Sequence, residues 1–151
     1  MKNQQIEIRR VKEKNHRSLL KDLNQMLSDE MVSLLPEFLR GPSSGSIPDA
    51  YWDKLLDGTG GVALVAWDGE RPAGMALIEY GKCAHFESLI VHPQYRRRGI
   101  GGMLVERAKE QAAKDGHTLM TLNVLLDNKK AEALYSRAGF VGFRTTMATE
   151  L

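Results

Sequence analysis

The chain has 151 residues, the length of one ordinary domain. Its 42% apolar and 26% charged residues match a water-soluble globular protein, and 21 Lys and Arg against 19 Asp and Glu leave a net charge of +2. That balance excludes whole-surface electrostatics as the attraction to nucleic acid or a membrane, and leaves only a local basic patch. One cysteine, Cys83, excludes an intramolecular disulfide and a metal site built on cysteine pairs. Met1 to Arg17 is polar and charged, with no stretch that reads as a signal peptide, and the apolar run Val62 to Trp67 is too short to span a bilayer. The expectation is a cytoplasmic protein folded as one domain over residues 1–151, with neither nucleic acid nor membrane as partner.

Taken in chain order, Ile6, Ile8 and Arg10 alternate with Glu7, Arg9 and Val11 as a weak first strand. Leu19, Leu20, Leu23, Met26, Leu27 and Met31 recur at helical spacing, so an amphipathic helix is expected from Asn15 to Leu35, stopped or kinked by Pro36. Arg40 to Pro48 is a Gly-Pro-Ser loop, readable as a lid or as a plain surface connection. Asp49 to Leu56 reads as a short helix closed by Gly58, Gly60 and Gly61. Val62 to Trp67 and Ala73 to Tyr80 form a hairpin about Asp68-Gly69-Glu70-Arg71, and Ala84 to Val91 is a further strand. A helix over Gly101 to Lys114, a strand over Thr118 to Leu125, a helix over Asn128 to Ala138 and an extended end from Phe140 to Leu151 complete the chain. Three consecutive strands favour antiparallel pairing. The strand–helix–strand unit over residues 84–125 favours a parallel crossover, so the sheet is mixed and covered by helices.

The informative segment is Val91-His92-Pro93-Gln94-Tyr95-Arg96-Arg97-Arg98-Gly99-Ile100-Gly101-Gly102, between a strand and a helix. Its glycines allow close approach of a ligand to the backbone. The helix start offers unpaired N–H groups and partial positive charge, and three arginines stand before it. All of this favours a phosphate or pyrophosphate. Leu104 stands where a dinucleotide fingerprint needs its third glycine, and Gly-Gly-Met stands where a P-loop needs Gly-Lys-Ser/Thr, so neither common nucleotide motif fits.

Arg96-x-x-Gly99-x-Gly101 after Val91-x-Pro93 resembles the acyl-coenzyme A signature of the GNAT superfamily of N-acetyltransferases. Asp127-Asn128-x-x-Ala131-x-x-Leu134-Tyr135-x-x-x-Gly139-Phe140 is similar to that family's second signature. The resemblance covers roughly residues 62–147. It implies an α/β (α+β) fold with a mixed, mostly antiparallel sheet of six to seven strands, about four flanking helices, and a splay between the strands at 84–91 and 118–125. It implies a single N-acetyltransferase domain that moves an acetyl group from acetyl-CoA, a co-substrate, to a primary amine by direct attack, without a metal. A homodimer through the C-terminal strand Arg144 to Leu151 is compatible with it. The other readings are a non-catalytic acyl-coenzyme A sensor and a nucleic-acid binder using Arg96 to Arg98. Balanced charge and the lack of interleaved aromatics weigh against the latter.

By the same resemblance, the backbone of Leu89, Ile90 and Val91 pairs with the pantetheine arm, and the Leu89 N–H faces the thioester oxygen. Arg96, Arg97, Arg98, Gly99, Ile100, Gly101 and Gly102 surround the pyrophosphate. Asn128 contacts the coenzyme, or else caps its helix while Asp127 is the alternative cap. Tyr135 protonates the departing thiolate, or else packs in a stripe of core residues.

An amine resembling lysine is neutral in only about one molecule in a thousand at pH 7.4, so a general base is worth roughly 10²–10⁴ in rate. His85 and Glu87, two apart on one strand, are the candidates, with Glu87 preferred. Some family members carry a glutamate at the position of His85. Those that act on ribosomal protein termini place one where this chain has Asn123, which cannot serve as a base, so a small-molecule acceptor is favoured. Tyr51, Trp52, Asp53 and Tyr80 are acceptor-side candidates that also read as packing residues. Cys83 reads as an incidental small side chain, and His92 as a positional one.

Overall fold

The computed structural model describes residues 5–40 and 47–151. Five strands lie in sequence order in one sheet: β1 (Glu7–Val11), β2 (Gly61–Asp68), β3 (Arg71–Tyr80), β4 (Ala84–Val91) and β5 (Met120–Leu122). The first four pair antiparallel, and β4 and β5 pair in parallel. The parallel pair needs a crossover, which α3 (Ile100–Lys114) supplies. The other helices are α1 (Arg17–Val32), α2 (Asp49–Asp57) and α4 (Lys129–Arg137).

Helices cover both faces of the sheet, so its central strands are continuous apolar runs rather than alternating ones. Val62 to Ala66 and Ala73 to Ile78 are buried throughout. On one face α1 and α2 pack Leu20, Leu23, Trp52, Leu55 and Leu56 against Ala63, Val65, Met75, Leu77 and Ile90. On the other, Ile100, Leu104, Val105, Ala108 and Ala112 of α3 pack against Val62, Leu64, Ala76, Ile78 and Phe86, with Leu134 and Tyr135 of α4 alongside. Leu104, Ala108 and Ala112 recur every fourth residue, the spacing that gives a helix one apolar face. Each large side chain buried this way contributes about 1.5–3 kcal/mol before entropy is counted.

The sequence expectation is corrected in three places. The sheet has five strands rather than six or seven, and the segment Phe140 to Leu151 joins no strand. Val141, Phe143 and Met147 there are 84%, 76% and 90% exposed. β5 extends over three residues instead of Thr118 to Leu125, and so short an edge offers a further strand little to ladder against. The first helix ends at Val32, before Pro36 is reached. Of the expected loop from Arg40 to Pro48, residues 41–46 lie outside the described residues, so its reading as a lid has no structural counterpart here. Among the described residues, no helix is long and apolar enough to cross a membrane.

Candidate active site

β4 and β5 pair only at Ala84 with Met120, His85 with Thr121 and Phe86 with Leu122. β4 then runs on to Val91 while β5 stops, so the strands part after Phe86. The flank of Leu89, Ile90 and Val91 therefore has no strand beside it, and backbone groups on that flank are open to an extended ligand.

Across β4, Leu77 of β3 lies opposite Ser88 and Ile78 lies opposite Phe86. Glu87 has no partner residue and forms a β-bulge at the point where the fork opens. The bulge also switches the alternation of the strand. Ala84 and Phe86 face α3, as do Leu89 and Val91 beyond the bulge, whereas Ile90 faces α1 and α2.

His85 and Glu87 do come together. Their Nε2 and Oε2 atoms are 3.3 Å apart, on the face covered by α1 and α2. His85 Nδ1 lies 2.9 Å from Thr121 Oγ1, which ties the ring across to β5 and fixes its orientation. Burial, and then the nearby charge of Glu79, hold the Glu87 carboxyl above the usual carboxylate range, while His85 acts in the opposite direction. A base that keeps its proton more tightly is better matched to taking one from an ammonium near neutrality.

Glu79 is the residue that sequence reasoning misses. It lies directly opposite His85 in the β3–β4 ladder, so both side chains share a face. The Tyr51 hydroxyl donates to its Oε2 at 2.7 Å, and burial followed by this bond pushes the phenol well above its ordinary range. The available signal was an acidic residue two after Leu77, on the core face of an otherwise apolar strand. Tyr51 thus stands beside the candidate base. The other acceptor-side candidates do not. Trp52 is buried on the core side of α2, Asp53 is held by Arg17 at 2.6 Å, and Tyr80 turns to the opposite face and donates to Asp115 at 2.6 Å. Cys83 lies 3.7 Å from Thr121 Oγ1, outside the His85–Glu87 pair.

At the far end of the fork the glycine-rich turn enters α3. Gly99, its N-cap, has φ +76°, and Arg97 has φ +64°, a left-handed conformation that costs a non-glycine residue roughly 1–3 kcal/mol. Left-handed residues in such a turn gather successive N–H groups into a concavity that suits an anion. Met103 N–H bonds Gly99 O, whereas the N–H groups of Arg97 to Gly102 have no backbone acceptor among the described residues. No acidic side chain sits in the first turn of α3. A Cβ at Gly101 would stand in ordinary contact with Leu134, Val91 and Leu89, whose nearest atoms lie 3.4, 3.7 and 3.9 Å from it.

The three arginines have different employments. Arg96 donates from Nε to Val91 O at 3.0 Å and pairs with Glu30 of α1, so its guanidinium braces the turn rather than facing the cradle freely. Arg98 lies over the Tyr95 ring at 5.3 Å, and the Tyr95 hydroxyl donates to Asp68 at 2.7 Å. Arg97 is exposed and has no side-chain ion pair among the described residues. His92 is positional, its Nδ1 accepting the Gln94 N–H at 3.2 Å.

Asn128 is the N-cap of α4, its Oδ1 accepting the Ala131 N–H at 3.3 Å, so it takes the role that Asp127 was expected to free it from. Its amide nitrogen points toward Met31 of α1. Tyr135, seven residues on, packs edge-on against Phe86 at 6.0 Å and Phe140 at 5.9 Å. Burial pushes its phenol up to about 12, so it remains a proton donor throughout the physiological range. Because Phe86 is the last paired residue before the fork, Tyr135 stands at the fork on the face opposite Glu87. A group lying in the fork would have a base on one side and an acid on the other.

Known proteins resemble this chain in sequence and in fold. The model of the acetyltransferase (GNAT) family matches residues 25–140. The thialysine N-epsilon-acetyltransferase of Caenorhabditis elegans is 32% identical over 117 residues, which are 74% of this chain and 73% of that one. Among solved structures, a mutant of the BH1408 protein from Bacillus halodurans superposes with a TM-score of 0.79 at 18% identity, over 96% of this chain and 99% of that one. Aminoglycoside N-acetyltransferase AAC(6')-Iy in complex with CoA superposes with a TM-score of 0.72 at 16% identity, over 97% and 95% of the two chains.

Proposed function

The chain belongs to the acetyltransferase (GNAT) family and is an N-acetyltransferase, and from that premise we propose that it acetylates the primary amine of a small molecule by direct attack on acetyl-CoA, with Glu87 as base and Tyr135 as acid. The observation that carries this reading is the fork between β4 and β5, with Glu87 on one face and Tyr135 on the other.

The residues present suit acetyl-CoA. The N–H groups of Arg97 to Gly102 would receive the pyrophosphate, braced by Arg96 and approached by Arg97 and Arg98. The free flank of Leu89, Ile90 and Val91 would pair with the pantetheine arm, and Asn128 would close the site from α4. When bound, the coenzyme supplies an activated acyl carbon and a thiol of pKa near 8.5 as leaving group.

The protein residues then divide the work. Glu87, oriented by His85, takes a proton from the acceptor amine, directly or through a water. The Leu89 N–H donates to the oxygen that gains charge, a contribution worth about 3–4 kcal/mol when such a donor is well aimed. Tyr135 gives its proton to the departing sulfur. Because a thiolate leaves fairly well unaided, the acid contributes less than the base.

The test is a screen of primary amines for release of free thiol from acetyl-CoA, run beside Glu87→Gln. Thiol release that follows an added amine and drops roughly 10²–10⁴-fold in the variant supports the assignment. Tight coenzyme binding with no turnover on any amine would instead mark an acyl-coenzyme A sensor.

A further inference from the structure

The acceptor side of the fork holds more negative charge than the proposed reaction consumes. Glu79 and Glu87 stand close enough that the charge of one makes the other hold its proton more tightly. Among the described residues, no lysine or arginine pairs with either; of the two, His85 pairs with Glu87, its other ring nitrogen lying against Thr121. Glu79 is not a loose surface carboxylate. It is half-buried, and the 2.7 Å bond from Tyr51 spends its Oε2 and fixes its direction. Its Oε1 has no hydrogen-bond partner among the described residues.

The attacking amine cannot be what Glu79 holds. It must lose its proton to act as a nucleophile, and its positive charge goes with that proton. Besides keeping the Glu87 proton more tightly held, a fixed carboxylate beside the base can hold a second cation on the acceptor that persists through the reaction.

We infer that Glu79 is a specificity-determining residue that holds a second positive charge on the acceptor, so that the preferred substrates are small molecules with two cationic groups. This rests on the acetyl transfer proposed above. Tyr51 acts through Glu79 as a positioning residue. Its hydrogen bond keeps the carboxylate turned toward the ladder position of His85 instead of toward solvent.

The experiment compares 1,3-diaminopropane with propylamine in wild type, Glu79→Gln and Glu79→Asp. Gln keeps an oxygen for Tyr51 but removes the charge. In wild type, kcat/KM for the diamine should exceed that for the monoamine by about tenfold, the worth of one charge-assisted hydrogen bond. In Glu79→Gln that ratio should collapse toward one through a rise in KM for the diamine, and Glu79→Asp should restore part of it. A wild-type ratio near one, or a ratio that Glu79→Gln leaves intact, would overturn the inference. Calorimetric titration of the diamine into the coenzyme A complex separates this from a failure of the proposed reaction. Weaker binding to Glu79→Gln supports the charge contact even without turnover, and equal binding by the two proteins refutes it.

Discussion

Replacing Gly101 with Asp should move coenzyme affinity and fold stability in different directions. A Cβ at this position would lie 3.4 Å from Leu134 Cδ2 and 3.7 Å from Val91 Cγ2, ordinary contact distances, and Gly101 does not have a left-handed backbone that a side chain would strain. Asp also has a slightly better helix propensity than Gly. In a first turn that has no acidic residue, it gains about 0.3–1 kcal/mol from the helix dipole. The ligand-free variant should therefore melt at or slightly above the wild-type temperature.

Binding should suffer. A carboxylate roughly 5 Å from a bound phosphate, at an effective dielectric near 20, costs about 3 kcal/mol, or roughly two hundredfold in Kd. Calorimetry with coenzyme A reads this directly, and thermal melts read it a second way. Ligand at a hundred times its Kd adds about 2.7 kcal/mol to wild type, a shift of roughly 5–10 °C in a chain of this size that the variant should lack. An unchanged Kd would refute the cradle. A collapse in melting temperature without ligand would refute the account of the space around Gly101.

Tyr135→Phe should lower kcat with little change in KM for acetyl-CoA, and the wild-type pH profile should show no loss attributable to this phenol below about pH 11, because burial pushes it up to about 12; an unaltered kcat would leave Tyr135 as a packing residue. Glu87→Gln should abolish most activity while raising thermal stability at pH 7. Its folded pKa is raised, so the wild-type carboxyl favours the fold when protonated and loses that contribution as pH rises through the folded value; equal melting temperatures for the two proteins at pH 7 would contradict the partly shielded carboxylate being held above its ordinary range. Sedimentation should show a concentration-dependent homodimer that is lost on removing residues 141–151, whose apolar side chains lie exposed in the single chain; a monomer at every concentration would count against the C-terminal segment as an interface.

The order and type of the elements from β1 to α4 were legible because each carries its own periodicity and stop signal. Leu104, Ala108 and Ala112 announce a helix without reference to any neighbour, and the turn around Gly69 announces a hairpin. The end of the chain was not legible. Val141, Phe143 and Met147 alternate like a strand, but whether they pair depends on an edge elsewhere, and β5 offers only three residues of it.

In the site, the cradle was readable because its backbone chemistry is written in glycines. The arginines beside it were over-read, since sequence gives their charge but not that Glu30 and Val91 O already occupy Arg96. Asn128 was readable both as a coenzyme contact and as a helix cap, with Asp127 as the rival cap, and the bond to the Ala131 N–H chooses it as the cap. Glu79 was missed because its meaning comes from register. Only the ladder brings it opposite His85, 6 positions later in the chain.

The bulge at Glu87 separates inheritance of the fold from inheritance of the chemistry. A residue matched to a partner across a sheet is constrained by that partner, and changing it means changing both. Glu87 is supernumerary in the ladder, with Phe86 and Ser88 already matched to Ile78 and Leu77. Deleting it would leave a regular strand with the same core. Replacing it would alter what the fork can activate without asking any neighbour to repack. The base can therefore be gained or lost at this position while the sheet stays folded.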